Sequence, residues 1–89
     1  MRPNSSRGAL MRKSVHTRAY KALCERLVAA RREAGLSQQA LAQKLGRPQS
    51  FVAKYEGGER RIDLIELMEI CGAVGLDVSR LVRALKATM

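Results

Sequence analysis

The chain has 89 residues and a formal net charge of +9, with 17 lysines and arginines against 8 aspartates and glutamates. A length of this order allows one small domain and little else, and the basic excess favours a polyanionic partner such as nucleic acid. The longest apolar run, residues 70–76, is far shorter than the roughly 20 residues that cross a bilayer, so no membrane span is expected.

Residues 1–16 lack helical periodicity and combine arginine, serine and proline with no acidic residue. We predict a disordered basic N-terminal arm over residues 1–16, followed by a folded domain over residues 17–89. Two interpretations of the arm remain open: it lies along DNA, or it serves only solubility. It has no continuous apolar stretch of the kind found in secretory signals, and we therefore expect a cytoplasmic protein.

The first helix is predicted over residues 17–34, where apolar side chains recur at spacings of three and four. This face contains Tyr20, Leu23, Leu27, Ala30 and Ala34. A second helix follows with Ser37 as its N-cap, because a serine hydroxyl can accept a backbone N–H. It runs to about Leu45 and ends at Gly46.

A third helix is predicted from Pro48, placed at the first helical position where its missing N–H has no cost, to about residue 55 or 56. Val52 and Tyr55 are expected to face the core. Two short helices joined by a tight turn at Gly46 suit a helix-turn-helix, in which one helix enters the major groove and the other braces against the DNA backbone.

The fourth helix begins with a capping box formed by Asp63 and Glu66. Its inner face is predicted to contain Leu64, Leu67, Cys71 and Val74. A fifth helix begins at Asp77 and is predicted to bury Val78, Leu81, Val82 and Leu85. Five helices with short links predict an all-α domain.

The order of these residues resembles the Cro/repressor-type, or Xre-like, helix-turn-helix family of transcriptional regulators. The matching positions are Arg31, residues 35–38, Leu41, Ala42, Gly46, Val52 and residues 56–60. The resemblance covers about residues 20–85 and implies the five-helix lambda-repressor-like fold, with sequence-specific binding to double-stranded DNA, usually as a dimer. It also implies a structural role for Glu56, for which Arg31 is a plausible partner.

Candidate base-reading residues lie in the third helix. Gln49 matches the family position that most often touches a base, and a glutamine there can bond adenine through N6 and N7. Ser50 is short enough for a base or a phosphate, and Lys54 lies one turn further on the same face. For each residue the alternative is a solvated side chain or a purely positional contact.

Phe51 lies only partly on the helix face that Val52 and Tyr55 occupy, and three interpretations of its role remain open. An exposed phenyl can contact a thymine methyl group. It can also brace a neighbouring chain, or simply cover part of the core.

Candidate phosphate contacts surround these helices. Gln38 lies at the start of the second helix, where N–H groups and the positive end of the helix dipole favour a phosphate. The resemblance implies backbone contacts for Arg60 and Arg61, and Lys44 and Arg47 come next. Ordinary surface charge is the alternative for all of the basic residues.

We expect neither a cofactor nor a metal site, and no enzymatic activity. Cys24 and Cys71 are isolated and are expected to be buried thiols, and the single histidine, His16, lies in the arm. The predicted function is a transcriptional repressor that binds a palindromic operator as a homodimer through its fourth and fifth helices. One alternative is an antitoxin or accessory protein whose main partner is a toxin or another regulator. The other is a membrane-surface or non-specific polyanion binder that uses the arm.

Overall fold

The structure, a computed structural model, describes residues 17–89. It contains five α-helices: α1 Arg18–Glu33, α2 Gln38–Leu45, α3 Gln49–Glu56, α4 Leu64–Val74 and α5 Val78–Lys86. No strand occurs within this part of the chain, and the predicted all-α, five-helix class is confirmed. The predicted arm over residues 1–16 lies outside the described residues.

The helix ends follow local side-chain chemistry. The Ser37 hydroxyl accepts the Ala40 N–H at 3.0 Å, and the two halves of the Asp63–Glu66 capping box are both present. Gly46 ends α2 with a φ of 68°, in the left-handed region that only glycine adopts without strain. These starts and ends agree with the predictions.

Pro48 differs from its predicted place by one position. Its backbone is extended, with φ −66° and ψ 153°, so it is the N-cap of α3 and the helix begins at Gln49. The carbonyl of Pro48 already accepts the Phe51 N–H at 3.0 Å. The fixed φ of proline suits the extended conformation as well as the helical one. It therefore cannot distinguish the N-cap from the first helical position.

The core is formed by side chains from all five helices. Its buried apolar side chains are Tyr20, Leu23, Cys24, Leu27, Leu41, Ala42, Phe51, Val52, Tyr55, Ile70, Cys71 and Leu81. Burial raises the pKa of both cysteine thiols above the ordinary value, and the prediction of buried thiols is confirmed.

The predicted inner faces of the last two helices were partly wrong. Leu64 is 65% exposed, and Val82 is 43% exposed. In α4, the inner positions of the first two turns are Glu66 and Ile70, four residues apart on one face. Leu64 precedes Glu66 by two residues, or about 200° around the helix, and therefore faces solvent.

Candidate nucleic-acid interface

Helix α3 divides sharply into a buried and an exposed side. Val52 and Tyr55 are completely buried against the other helices. Gln49, Ser50 and Lys54, the three predicted base-reading residues, are all exposed. The tight turn before α3 is closed by a 2.9 Å hydrogen bond from the Arg47 N–H to a carbonyl in α2, so α2 and α3 are held as a helix-turn-helix.

A buried ion pair ties the end of α3 to α1. Arg31 donates from Nε and Nη2 to the two carboxylate oxygens of Glu56, at 2.7 and 3.1 Å. Its Nη1 donates to the Leu36 carbonyl at 2.8 Å, which adds the loop before α2. The hydrogen bonds to Glu56 raise the pKa of Arg31. The predicted partnership of Glu56 with Arg31 is confirmed.

Gln38 joins the same cluster. Its amide Nε2 donates to the Glu56 carboxylate at 2.9 Å, so the first residue of α2 is tied to the last residue of α3. An amide nitrogen carries two hydrogens, and this bond uses one of them. The phosphate contact predicted for Gln38 remains a prediction, now with a partly fixed side chain.

Phe51 is buried, not exposed as the thymine-contact interpretation assumed. Only 7% of its surface is accessible. The guanidinium carbons of Arg47 and Arg60 lie 4.4 and 4.8 Å from its ring centroid, and Tyr55 packs edge-on at 5.3 Å. These neighbours favour the interpretation in which Phe51 covers the core, with cation–π contacts to two arginines.

Both arginines also contact one carboxylate. Arg60 donates from Nη1 and Nη2 to the two oxygens of Glu66, each at 3.0 Å, and Arg47 donates to the same group at 3.3 Å. The hydrogen bonds from Arg60, with that from the Asp63 N–H, lower the pKa of Glu66 to about 2. The sequence had indicated Glu66 only as part of a capping box, since no local spacing links it to Arg47.

The loop that contains Arg60 and Arg61 is held against α1. The hydroxyl of Tyr20 donates to the Arg60 carbonyl at 3.1 Å, and the guanidinium carbon of Arg61 lies 5.5 Å from the Tyr20 ring centroid. Burial of Tyr20 raises the pKa of its phenol. Tyr20 was expected only as a core residue, and its hydroxyl also orders this loop.

Lys44 is hydrogen-bonded to α4 and does not join the Arg47–Arg60 cluster. Its ammonium group donates to the carbonyl of Ala73 at 3.1 Å, at the C-terminal end of α4, where a positive charge is favourable to the helix dipole. The structure therefore brings Arg47 and Arg60 together around Phe51 but does not bring Lys44 to them.

Within residues 17–89, no cluster of three or more metal-ligating side chains occurs. In the same range, none of the helices combines the length and the apolar character needed to cross a membrane.

Comparison with known proteins supplies independent information. A family model described as helix-turn-helix matches residues 27–81. The solved structure of an XRE-family like protein from Pseudomonas syringae pv. tomato str. DC3000 is similar to this chain, with a TM-score of 0.79 and 45% sequence identity. The match covers 90% of this chain and 98% of that one. No curated protein matches the sequence.

Proposed function

Because the chain belongs to the Xre-like helix-turn-helix family of DNA-binding transcription regulators, we propose that it represses transcription by occupying a palindromic operator as a homodimer. Helix α3 is the recognition helix, and α2 lies across the DNA backbone. The observation that carries the proposal is the polar, exposed face of α3 beside two guanidinium groups.

Base reading is assigned to Gln49, Ser50 and Lys54. Their exposure at the start and middle of α3 supports this assignment, since the first turns of a recognition helix approach the base edges. Gln49 has the bidentate amide that suits adenine, and Lys54 has the charge that suits guanine or a phosphate.

Phosphate contacts are assigned first to Arg60 and Arg61, and then to Gln38 and Arg47. These residues border α3 or begin α2, and they supply cationic or amide donors of the kind that bind DNA backbones. Lys44 has a weaker case, because its ammonium group is hydrogen-bonded at the end of α4.

An apolar face on α4 supports the homodimer. Leu64, Ile65 and Met68 are 65%, 63% and 51% exposed, and they lie next to one another on the helix surface. Exposed apolar clusters rimmed by polar residues mark protein interaction sites. A second copy on this face would produce the two-fold symmetry that a palindromic operator requires, with recognition helices about 34 Å apart.

A different protein, such as a toxin, is the competing occupant of this face and would make the chain an antitoxin. Sedimentation of the purified chain separates the two cases. A homodimer supports the repressor proposal, whereas a monomer at high concentration, with and without DNA, contradicts it.

Selection of bound sites from random duplex DNA tests the function directly. We expect a half-site repeated with two-fold symmetry, one helical turn from centre to centre. Recovery of unrelated sequences would contradict sequence-specific binding. Removal of residues 1–16 is the companion experiment: if specificity is lost with the arm, α3 is not the reading element.

A further inference from the structure

The carboxylate of Glu66, in the first turn of α4, lies between the guanidinium groups of Arg47 and Arg60. Its oxygens accept hydrogen bonds from Arg60, Arg47 and the backbone N–H of Asp63. Only 10% of the Glu66 side chain is accessible, against 40% for Arg60 and 34% for Arg47. The acid is therefore held inside while the two guanidinium groups reach the surface.

The bonds of Arg60 use one particular edge of its guanidinium group. Nη1 donates to Glu66 and to the Arg61 carbonyl, and Nη2 donates to Glu66. Within residues 17–89, all of its hydrogen bonds leave from these two nitrogens. A guanidinium has five N–H donors, so Nε–H and the second hydrogen of Nη2 form another parallel pair on the adjoining edge. This pair has the geometry that binds a phosphate with two hydrogen bonds.

We propose that Glu66 is a positioning residue for DNA binding: it binds the Nη1–Nη2 edge of the Arg60 guanidinium so that the adjoining Nε–Nη2 edge is presented to a backbone phosphate. The proposal rests on the proposed function. Phe51 completes the support, because its ring lies under the Arg60 guanidinium and fixes the plane. Glu66, Phe51 and the Arg61 carbonyl together leave Arg60 little rotamer freedom to lose on binding.

Whether removal of the Glu66 charge weakens or strengthens DNA binding distinguishes this positioning role from a simple charge effect. A carboxylate near DNA repels phosphates, so its neutralisation alone strengthens binding. Loss of positioning weakens binding instead, because an unsupported arginine must be ordered when the DNA arrives. If Glu66 were a competitor that phosphate displaces from Arg60, its removal would strengthen binding even more.

Glu66→Gln is the test variant, and Glu69→Gln is its matched control. Glutamine retains the acceptor that the capping box requires, so the start of α4 is preserved while the charge is lost. Glu69 is on the same helix, is 55% exposed and lies 3.9 Å from Arg47. Both changes raise the net charge by one, and only Glu66 contacts Arg60.

Affinity is measured for labelled mixed-sequence duplex DNA and for a site recovered by selection, at several salt concentrations. We expect Glu66→Gln to weaken binding to both duplexes about three- to tenfold, the usual cost of ordering a long side chain. Its salt slope should change by less than about one unit, because Arg60 keeps its charge and still contacts the phosphate once it is ordered. Glu69→Gln should bind as tightly as the wild type or more tightly.

A double-mutant cycle with Arg60→Gln excludes a general structural effect. In the Arg60→Gln background, Glu66→Gln should change affinity by less than about twofold, because the two-bond Arg60 pair is already gone and, of its arginine bonds within residues 17–89, only the longer Arg47 contact at 3.3 Å remains. If Glu66→Gln weakens DNA binding as much in that background as in the wild type, the positioning role is overturned. It is also overturned if the Glu66→Gln single variant binds DNA as tightly as Glu69→Gln, or more tightly.

The wild-type chain supplies a test that does not depend on variant folding. The Nε–H resonance of Arg60 should shift on addition of duplex DNA, while the resonance of Nη1, which is bonded to Glu66 and the Arg61 carbonyl, keeps the signature of the Glu66 pair. An unchanged Nε–H resonance in the bound state would overturn the proposal while leaving the proposed function intact. If the wild-type chain binds no duplex DNA at all, both fail.

Discussion

Arg31 connects three segments of the chain through one guanidinium group. It contacts Glu56 at the end of α3 and the Leu36 carbonyl before α2, and both ionised side chains are less than a tenth exposed. A buried ion pair contributes little net stability compared with a well-packed apolar pair, but removal of one partner leaves an uncompensated charge. The contribution of Arg31 is therefore measured by removing it, which leaves the Glu56 carboxylate, within residues 17–89, without a counter-ion and bonded only to the Gln38 amide.

Arg31→Met should lower the free energy of unfolding by about 3 kcal/mol, because the Glu56 carboxylate remains buried without its partner. Urea denaturation at neutral pH measures this change. Arg32→Met is the matched control, since Arg32 is the exposed neighbour on α1, and its effect should stay within about 0.5 kcal/mol. Equal effects of the two substitutions would show that the ion pair is not structural.

Gln49→Ala tests base reading by a single side chain. We expect a loss of about 1–3 kcal/mol on the selected site and relaxed preference at one base pair, because an amide that bonds adenine in two places is removed. Gln43→Ala, which removes an exposed amide from α2, should have no such effect on preference. Equal weakening on all sequences would contradict a base-reading role for Gln49.

At the scale of the element, α4 combines a local start signal with long-range charge pairing. Its capping box is encoded within four residues and was predicted from the sequence alone. Its inner face was predicted less well, because the helix carries apolar residues on more than one side. Periodicity cannot choose between such sides, and Glu66 occupies an inner position only because Arg47 and Arg60 neutralise it there.

The lowered pKa of Glu66 makes the start of α4 sensitive to acid. A carboxyl group with a lowered pKa in the folded state stabilises the fold above its ordinary value of 4.5, and this contribution disappears as the pH falls towards about 2. We therefore expect the Tm difference between wild type and Glu66→Gln to be largest near neutral pH and to shrink over that acid range. Thermal unfolding followed by circular dichroism measures it, and a pH-independent difference would contradict the assignment.

At the scale of the whole molecule, the described surface carries a basic region and an apolar patch. The basic region contains Arg47, Arg60 and the exposed face of α3, and the apolar patch on α4 contains Leu64, Ile65 and Met68. Small monomeric domains expose few contiguous apolar clusters. We therefore propose that the α4 patch is the surface through which the chain self-associates, separate from the residues assigned to DNA.

Ile65→Glu should convert the proposed dimer into a monomer without loss of folding, because Ile65 is 63% exposed and a charge is unfavourable in an apolar interface. Sedimentation should show the monomer, and affinity for the palindrome should fall more than affinity for an isolated half-site. Ala29→Glu, an identical charge change on the exposed side of α1, should leave the dimer intact. A dimer that survives Ile65→Glu would exclude the α4 patch as its interface.

The sequence by itself determined the helices, the caps at Ser37, Gly46 and Asp63, and the turn between α2 and α3, because these depend on contacts within about four residues. The resemblance to a known family added the Arg31–Glu56 pair, which no local spacing indicates. Only the tertiary structure decided that Phe51 is buried beneath two guanidinium groups, that Leu64 faces solvent and that Glu66 joins Arg47 to Arg60. These outcomes depend on the angles at which helices pack, which are set by the whole core and not by any single segment.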